Sequence, residues 1–294
     1  MTRDDEGPDR AAGGYRLIES GDGRKLEEFG GVIVDRPCAV AVWPRRDVQA
    51  YSRAPARFDR DASGKGRWKL RGRLPNPWAI DFAGTTWGLR PNDFGHVGIF
   101  PEQADNWAWI ESEVARVVAT GTQPEVLNLF GYTGGSTLAA ARAGARVCHV
   151  DASKTSTRIA RENAEGSGLG EAPIRWIVED ALLFVEREIR RGRQYHGVIL
   201  DPPSYGRGRR GEVWQLEELV MDLLGKCRTV MGDAPEFFLL TGHSPGFTPV
   251  VLANLVGELF DGPVVPGEML IPADDGRPLP SGAYARWSRG GGSA

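Results

Sequence analysis

The sequence has little cysteine: three residues in 294, Cys38, Cys148 and Cys227, far apart and without CxxC spacing. A disulfide framework or a cysteine-based zinc site is therefore not expected, and a reducing cytoplasm is the expected compartment. The four histidines, His96, His149, His196 and His243, form no ligand cluster, so no metal is expected. There is no run of 18 apolar residues, and the stretch MTRDDEGPDR is charged with no apolar core behind it. Neither a membrane span nor a secretory signal is expected. An internal repeat of fixed period is also missing. So is an overall positive excess, since 36 Lys+Arg stand against 39 Asp+Glu, for a net charge of −3. What remains is 41% apolar and 26% charged, an ordinary globular composition with room for one large domain or two modest ones.

The near-even charge balance conceals a local excess. Between Arg45 and Arg73 ten Lys/Arg face three acids, with Tyr51, Phe58 and Trp68 among them. Interleaved cations and aromatics are what a strand-tracking nucleic-acid surface requires. Long arginines solvating a small β domain would give the same run.

Residues 1–14 and 290–294 are polar and glycine-rich and read as disordered tails. Residues 15–96 hold short apolar segments broken by Gly and Pro (YRLIES, GGVIVD, CAVAVW, RWKLRG, WAIDFAG), which predict a small β-rich domain suited to binding substrate or RNA. From 97 to 289 the pattern changes. Trp107, Ile110, Val114, Val117 and Val118 have helical spacing, and five strand-like runs then alternate with helices. This predicts an α/β, Rossmann-like, doubly wound and mainly parallel sheet.

In such a sheet the ligand lies at the carboxyl ends of the strands, near the reversal of strand order. The first strand ends in NLFGYTGGS, where Gly131, Gly134 and Gly135 allow a tight turn. Tyr132 stands where a second fingerprint glycine would be, which disfavours a pyrophosphate cradle. The second strand ends in Asp151, placed to accept ribose hydroxyls or to cap the next helix, and able to do both only if one oxygen stays free. The third ends in Glu179-Asp180, where Asp180 either takes an exocyclic amine or caps a helix. The fourth ends in Asp201-Pro202-Pro203-Ser204-Tyr205, a stiff corner followed by an aromatic able to stack on a planar substrate.

The order NLFGYTGG, VDAS, VEDA, ILDPPSY resembles the class I S-adenosylmethionine-dependent methyltransferases, and among these most the ribosomal RNA large-subunit methyltransferases I and K. The upstream GHVGIFPEQADN is similar to their pre-domain motif, so the resemblance runs from about residue 95 to 245. It implies S-adenosylmethionine as cofactor. Asp151, with Ala152 and Ser153, would hold the ribose, and Asp180, with Ala181, the adenine amine. Asn128, Phe130, Gly131, Tyr132, Thr133 and Gly134 would surround the methionine part. Phe100 and Gln103 would cover it from the other side, and Asp201 with Pro202 and Pro203 would face the methyl group. It also implies an RNA partner, and on that reading the residues after the corner suit it: Tyr205 is expected to stack on the acceptor, and Arg207, Arg209 and Arg210 to lie where a phosphate beside the target base would be.

Three departures stand out. Ala104 replaces the motif's arginine and Glu102 its acid. About 80 residues precede the motif, too few for the RNA-binding PUA domain of the resembled family. The cytosine-carbon-5 members carry a catalytic cysteine after the fifth strand, where this chain has Leu240-Thr241-Gly242-His243-Ser244-Pro245. A serine hydroxyl forms the covalent ring adduct poorly. The acceptor is therefore expected to be a nitrogen or another lone-pair atom of an RNA base, with His243 either a proton acceptor or a structural hydrogen-bonder. A small-molecule or protein methyltransferase, and a cofactor-binding module without catalysis, are the other readings.

Overall fold

The computed structural model describes residues 14–61, 66–207 and 213–291. Most of both segments read as tails, Lys65, and the pair Arg209 and Arg210 lie outside the described residues. The chain divides into two compact units, one of Met1–Pro101 with Leu270–Pro280, the other of Glu102–Met269 with Ser281–Ala294.

In the first unit β1 (Tyr15–Gly21), β2 (Arg24–Phe29), β3 (Val32–Pro37), β4 (Ala56–Arg60) and β5 (Gly66–Leu70) form one sheet in that order. The β3–β4 pair is parallel and is connected through the short helix α1 (Val48–Arg53). The first two hairpins turn on Asp22-Gly23 and Gly30-Gly31, with φ of 48°, 70°, 57° and 82°. Two consecutive left-handed residues give the turn that matches strand twist, which is why glycine recurs there. A separate hairpin joins β6 (Ala79–Phe82) to β7 (Thr85–Gly88). Leu17, Phe29, Phe58 and Trp87 are fully buried. Tyr51 and Phe58, expected from the sequence to face a nucleic acid, are 3% and 0% exposed: apolar area in this small sheet goes to its core.

The second unit opens with a 3-10 turn at Pro101–Gln103 and α2 (Ala104–Val118). Trp107, Ile110, Val114 and Val117 bury their side chains as spaced, while Val118 stays exposed. Then follow β8 (Glu125–Leu129), α3 (Gly135–Arg142), β9 (Arg146–Asp151), α4 (Lys154–Gly166), β10 (Ile174–Val178), α5 (Ala181–Arg190) and β11 (Gly197–Leu200). After these come the ribbon β12 (Tyr205–Arg207) and β13 (Val213–Gln215), α6 (Leu216–Val230), β14 (Phe237–Gly242), α7 (Pro249–Gly257), β15 (Val264–Ile271) and β16 (Leu279–Ser288). The sheet order is β10-β9-β8-β11-β14-β16-β15. The first five strands are parallel, and β16 runs antiparallel to β14. Strand order reverses between β8 and β11, which opens a crevice at their carboxyl ends. No helix among the described residues is long and apolar enough to cross a membrane.

Candidate active site

The loop after β8 is held in an unusual backbone. Phe130 and Tyr132 have φ of 59° and 46°, and Gly134 has φ of 100° as the N-cap of α3. Positive φ costs a non-glycine residue free energy, so the surroundings must hold it. Gly131 N–H donates to the Val150 carbonyl at 3.0 Å and Tyr132 N–H to Asp151 Oδ2 at 2.9 Å. Asn163 Nδ2 donates to the Thr133 carbonyl at 2.9 Å. A Cβ on Gly131 would stand 2.5 Å from the His149 ring, and one on Gly135 2.4 Å from Trp107. These glycines are therefore required by the packing beneath the loop.

That packing is polar and ordered. Asn128 Nδ2 donates to Thr137 Oγ1 at 2.8 Å, and Thr137 Oγ1 lies 2.9 Å from His149 Nδ1. The Thr137 hydroxyl and His149 Nδ1 thus share a hydrogen bond, and His149 Nε2 is buried with no partner among the described residues. Burial pushes the His149 pKa down to about 3, which keeps the ring neutral.

Asp151 closes β9. It does not cap α4: Ser153 does, accepting from Ser156 N–H. The carboxylate instead binds the Tyr132 and Ser153 N–H groups, at 2.9 and 2.8 Å, and burial raises its pKa. Each oxygen keeps a second lone pair. Asp180 does cap its helix, accepting from Leu183 N–H through Oδ1 at 3.1 Å, and its Oδ2 makes no hydrogen bond among the described residues.

Asp201 ends β11 at the centre of a network that local sequence could not show. Its Oδ1 accepts from Thr241 Oγ1 at 2.6 Å and faces His243 Nε2 at 3.4 Å, and its Oδ2 accepts from Gln103 Nε2 at 3.2 Å. Asn106 Nδ2 donates to Gln103 Oε1 at 2.7 Å, and Arg286 places two N–H groups on Asn106 Oδ1 at 2.6 and 3.0 Å. Because a guanidinium only donates, Arg286 fixes which way both amides point. Asn106, Thr241 and Arg286 were not expected from the sequence.

His243 Nδ1 stands 2.8 Å from the Ser281 carbonyl and Nε2 faces Asp201, so both ring nitrogens meet acceptors. Burial alone would lower the His243 pKa. The Asp201 carboxylate, with Glu102 beyond it and the Ser281 carbonyl, outweighs burial and raises it to about 9. At neutral pH His243 already carries the proton it would need to accept, so the proton-acceptor reading gives way to an ion pair. Burial likewise works against the Asp201 charge, but His243, Thr241 and Gln103 hold its carboxyl below the usual value. An NMR titration of His243 is expected to show a midpoint near pH 9, falling to the ordinary histidine value or below in Asp201→Asn. A midpoint unchanged by that substitution would break the pairing. The pair's stabilising contribution is full below the ordinary histidine value of 6.5 and lost as pH rises through about 9. Asp201's share is present above 3.8 and lost as pH falls through its lowered value.

Pro202 is buried and Pro203 exposed, and Trp214 Nε1 donates to the Pro203 carbonyl at 2.6 Å, pinning the corner. Tyr205 is 54% exposed. Ser244, at the expected cysteine position, is buried and bonded to Ser204 Oγ at 2.6 Å. Cys148 lies in β9 and Cys227 in α6, both with thiol pKa raised by burial. Phe100 belongs to the first unit, its ring against His96 at 5.1 Å. No cluster of three or more metal-ligating side chains occurs among the described residues.

A family model described as Conserved hypothetical protein 95 matches residues 106–224. Ribosomal RNA large subunit methyltransferase I of Aeromonas salmonicida is 31% identical over 136 residues, 46% of this chain and 30% of that protein. The matched stretch is thus under a third of that relative's length. A SAM-dependent methyltransferase crystal structure from Agrobacterium tumefaciens superimposes with a TM-score of 0.87 and 38% identity, covering 98% of this chain and 97% of that one. The chain belongs to the class I S-adenosylmethionine-dependent methyltransferases. A further crystal structure, of a protein complexed with SAH, aligns at TM-score 0.72 and 18% identity over 92% of this chain and 74% of that one, a likeness of fold alone.

This methyltransferase presents donors and acceptors at its strand ends that would fit its cofactor. Gly134 offers no side-chain cap to α3, so the first-turn N–H groups are left for a carboxylate. Asp151 keeps a lone pair on each oxygen, which would suit a ribose diol, and Asp180 keeps Oδ2, which would suit an exocyclic amine. Asp151→Ala is expected to weaken S-adenosylhomocysteine binding about 10- to 100-fold by calorimetry, the loss of a charge-assisted hydrogen bond. Unchanged affinity would reduce Asp151 to a brace for the loop.

Proposed function

We propose that the protein transfers a methyl group to a nitrogen, or another atom already owning a lone pair, of an RNA base. The observation that carries this reading is the Asp201 carboxylate, held ionised at the switch point with Oδ1 occupied and a lone pair of Oδ2 left over. S-adenosylmethionine supplies an electrophilic methyl on a sulfonium when bound. The chain's own residues position the acceptor: Asp201 Oδ2 accepts an N–H of the base, and the exposed Tyr205 ring offers it a stacking face. His243 balances the Asp201 charge. A carbon-5 acceptor is disfavoured because it needs a thiolate adduct, and Ser244 is buried against Ser204. The RNA part of the reading is supported by the named activity of the relative from A. salmonicida.

The test is incubation with methyl-labelled S-adenosylmethionine and separate RNA, protein and small-molecule fractions, followed by nucleoside analysis. Label in an N-methylated or other heteroatom-methylated nucleoside is expected. Label in a 5-methylpyrimidine would overturn the lone-pair assignment, and label confined to protein or small molecules would overturn RNA.

A further inference from the structure

We propose that the β4–β5 edge of the first unit binds the RNA sugar-phosphate backbone, independently of base sequence; this rests on the RNA reading above. β5 is the outer strand of its sheet. Trp68 packs its ring on the buried Phe58 at 5.1 Å, so Arg67, Lys69 and Arg71 alternate onto the opposite, solvent face. Arg57 lies beside Lys69 in register on that face. Arg60 and Arg73 are exposed at the two ends of the strand pair.

The acids on this face are already committed. Asp35 binds Arg24 at 2.5 Å and Arg57 at 3.2 Å, and Asp59 binds Arg57 and Lys69, each at 2.9 Å, and Arg24 at 3.2 Å. These two carboxylates are shared among three cations, Arg24, Arg57 and Lys69, and leave one positive charge over. The side chains of Arg60, Arg67, Arg71 and Arg73 are exposed and form no ion pair or hydrogen bond among the described residues. Other exposed arginines sit on carboxylates, as Arg16 does on Glu28 and Asp274 and Arg158 on Glu162, but Arg161, Arg190 and Arg193 do not; what distinguishes the β4–β5 edge is that its unpaired arginines are clustered.

Alternate residues of a strand stand about 7 Å apart, so Arg67, Lys69 and Arg71 form a short row of cations rather than a cup, with Arg73 beyond one end and Arg60, on the Phe58 side of β4, at the other. A row suits a linear polyanion, and guanidinium suits the two free oxygens of a phosphodiester. Base recognition by stacking is closed to this face, because Tyr51 and Phe58 are buried. What is left is electrostatic, and electrostatic binding has a measurable signature: each phosphate contact to a single strand adds about 0.7 to the slope of log affinity against log salt.

The experiment compares the full chain with the variant Arg60→Gln/Arg67→Gln/Arg71→Gln/Arg73→Gln. Binding to labelled oligouridylate and oligocytidylate is read by fluorescence anisotropy between about 50 and 200 mM salt. The two oligonucleotides are expected to bind the wild type alike, and the four substitutions to make the salt slope shallower by about 3. S-adenosylhomocysteine affinity and melting temperature should not change. Equal slopes in both proteins would remove this surface while leaving RNA as the substrate. A wild type that binds neither oligonucleotide and labels no RNA would overturn the surface and the RNA reading together. Anionic phospholipid vesicles bound through the same four arginines, with no RNA bound, would make it a membrane surface instead.

Discussion

Asp201→Ala is expected to lower the rate of methyl transfer by about 10²- to 10⁴-fold while S-adenosylhomocysteine affinity changes by no more than about 3-fold. The asymmetry follows from position. Asp201 meets Gln103, Thr241 and His243 through side-chain contacts and leaves a lone pair directed at none of them, whereas Asp151 and the loop after β8 are the groups that would supply the acceptors and N–H groups of the cofactor side. Removing the carboxylate also strands the His243 imidazolium, so a melting curve must accompany the assay. Asn106→Asp provides an independent check on the network. It keeps an acceptor for Arg286 but removes the N–H that orients Gln103, so transfer should fall while the fold persists. Full turnover in Asp201→Ala would take Asp201 out of the chemistry.

Gly131→Ala should damage both the fold and the loop after β8. The added methyl would lie 2.5 Å from a His149 ring that is fully buried and tied to Thr137, with no soft side chain to move aside. Overpacking of this kind costs about 1–3 kcal/mol, a fall in melting temperature of about 3–10 °C for a unit of this size. The flanking backbone at Phe130 and Tyr132 would shift with it, and S-adenosylhomocysteine affinity is expected to drop at least about 10-fold. An unchanged melting temperature and affinity would mean that the loop accommodates a side chain the packing denies it.

The parallel sheet was legible in the sequence because each buried strand is a short apolar run and each helix shows its period. The Asp201-Pro202-Pro203 corner was legible because two prolines leave the backbone few choices. What escaped was non-local. Gln103 and Asp201 are 98 positions apart, and Arg286 and Asn106 180 apart, so no local pattern links them. The need for Gly131 comes from His149, a residue on another strand. Asp151 and Asp180 have the same sequence signature, yet only Asp180 caps a helix, because Ser153 was available to cap the other. The basic stretch was visible as a charge count, but which arginines are neutralised depends on Asp35 and Asp59 across the sheet.

The placement of β16 has a kinetic consequence. The slot between β14 and β15 is filled by a strand made after both, so the parallel half of the sheet can assemble while one side of β14 still waits. All six residues of β14, FFLLTG, end up buried, and until β16 arrives that strand is a bare apolar edge able to pair with a neighbouring chain. Refolding from denaturant should therefore lose yield to aggregation as protein concentration rises, and a peptide with the sequence of β16, added in trans during refolding, should recover part of it.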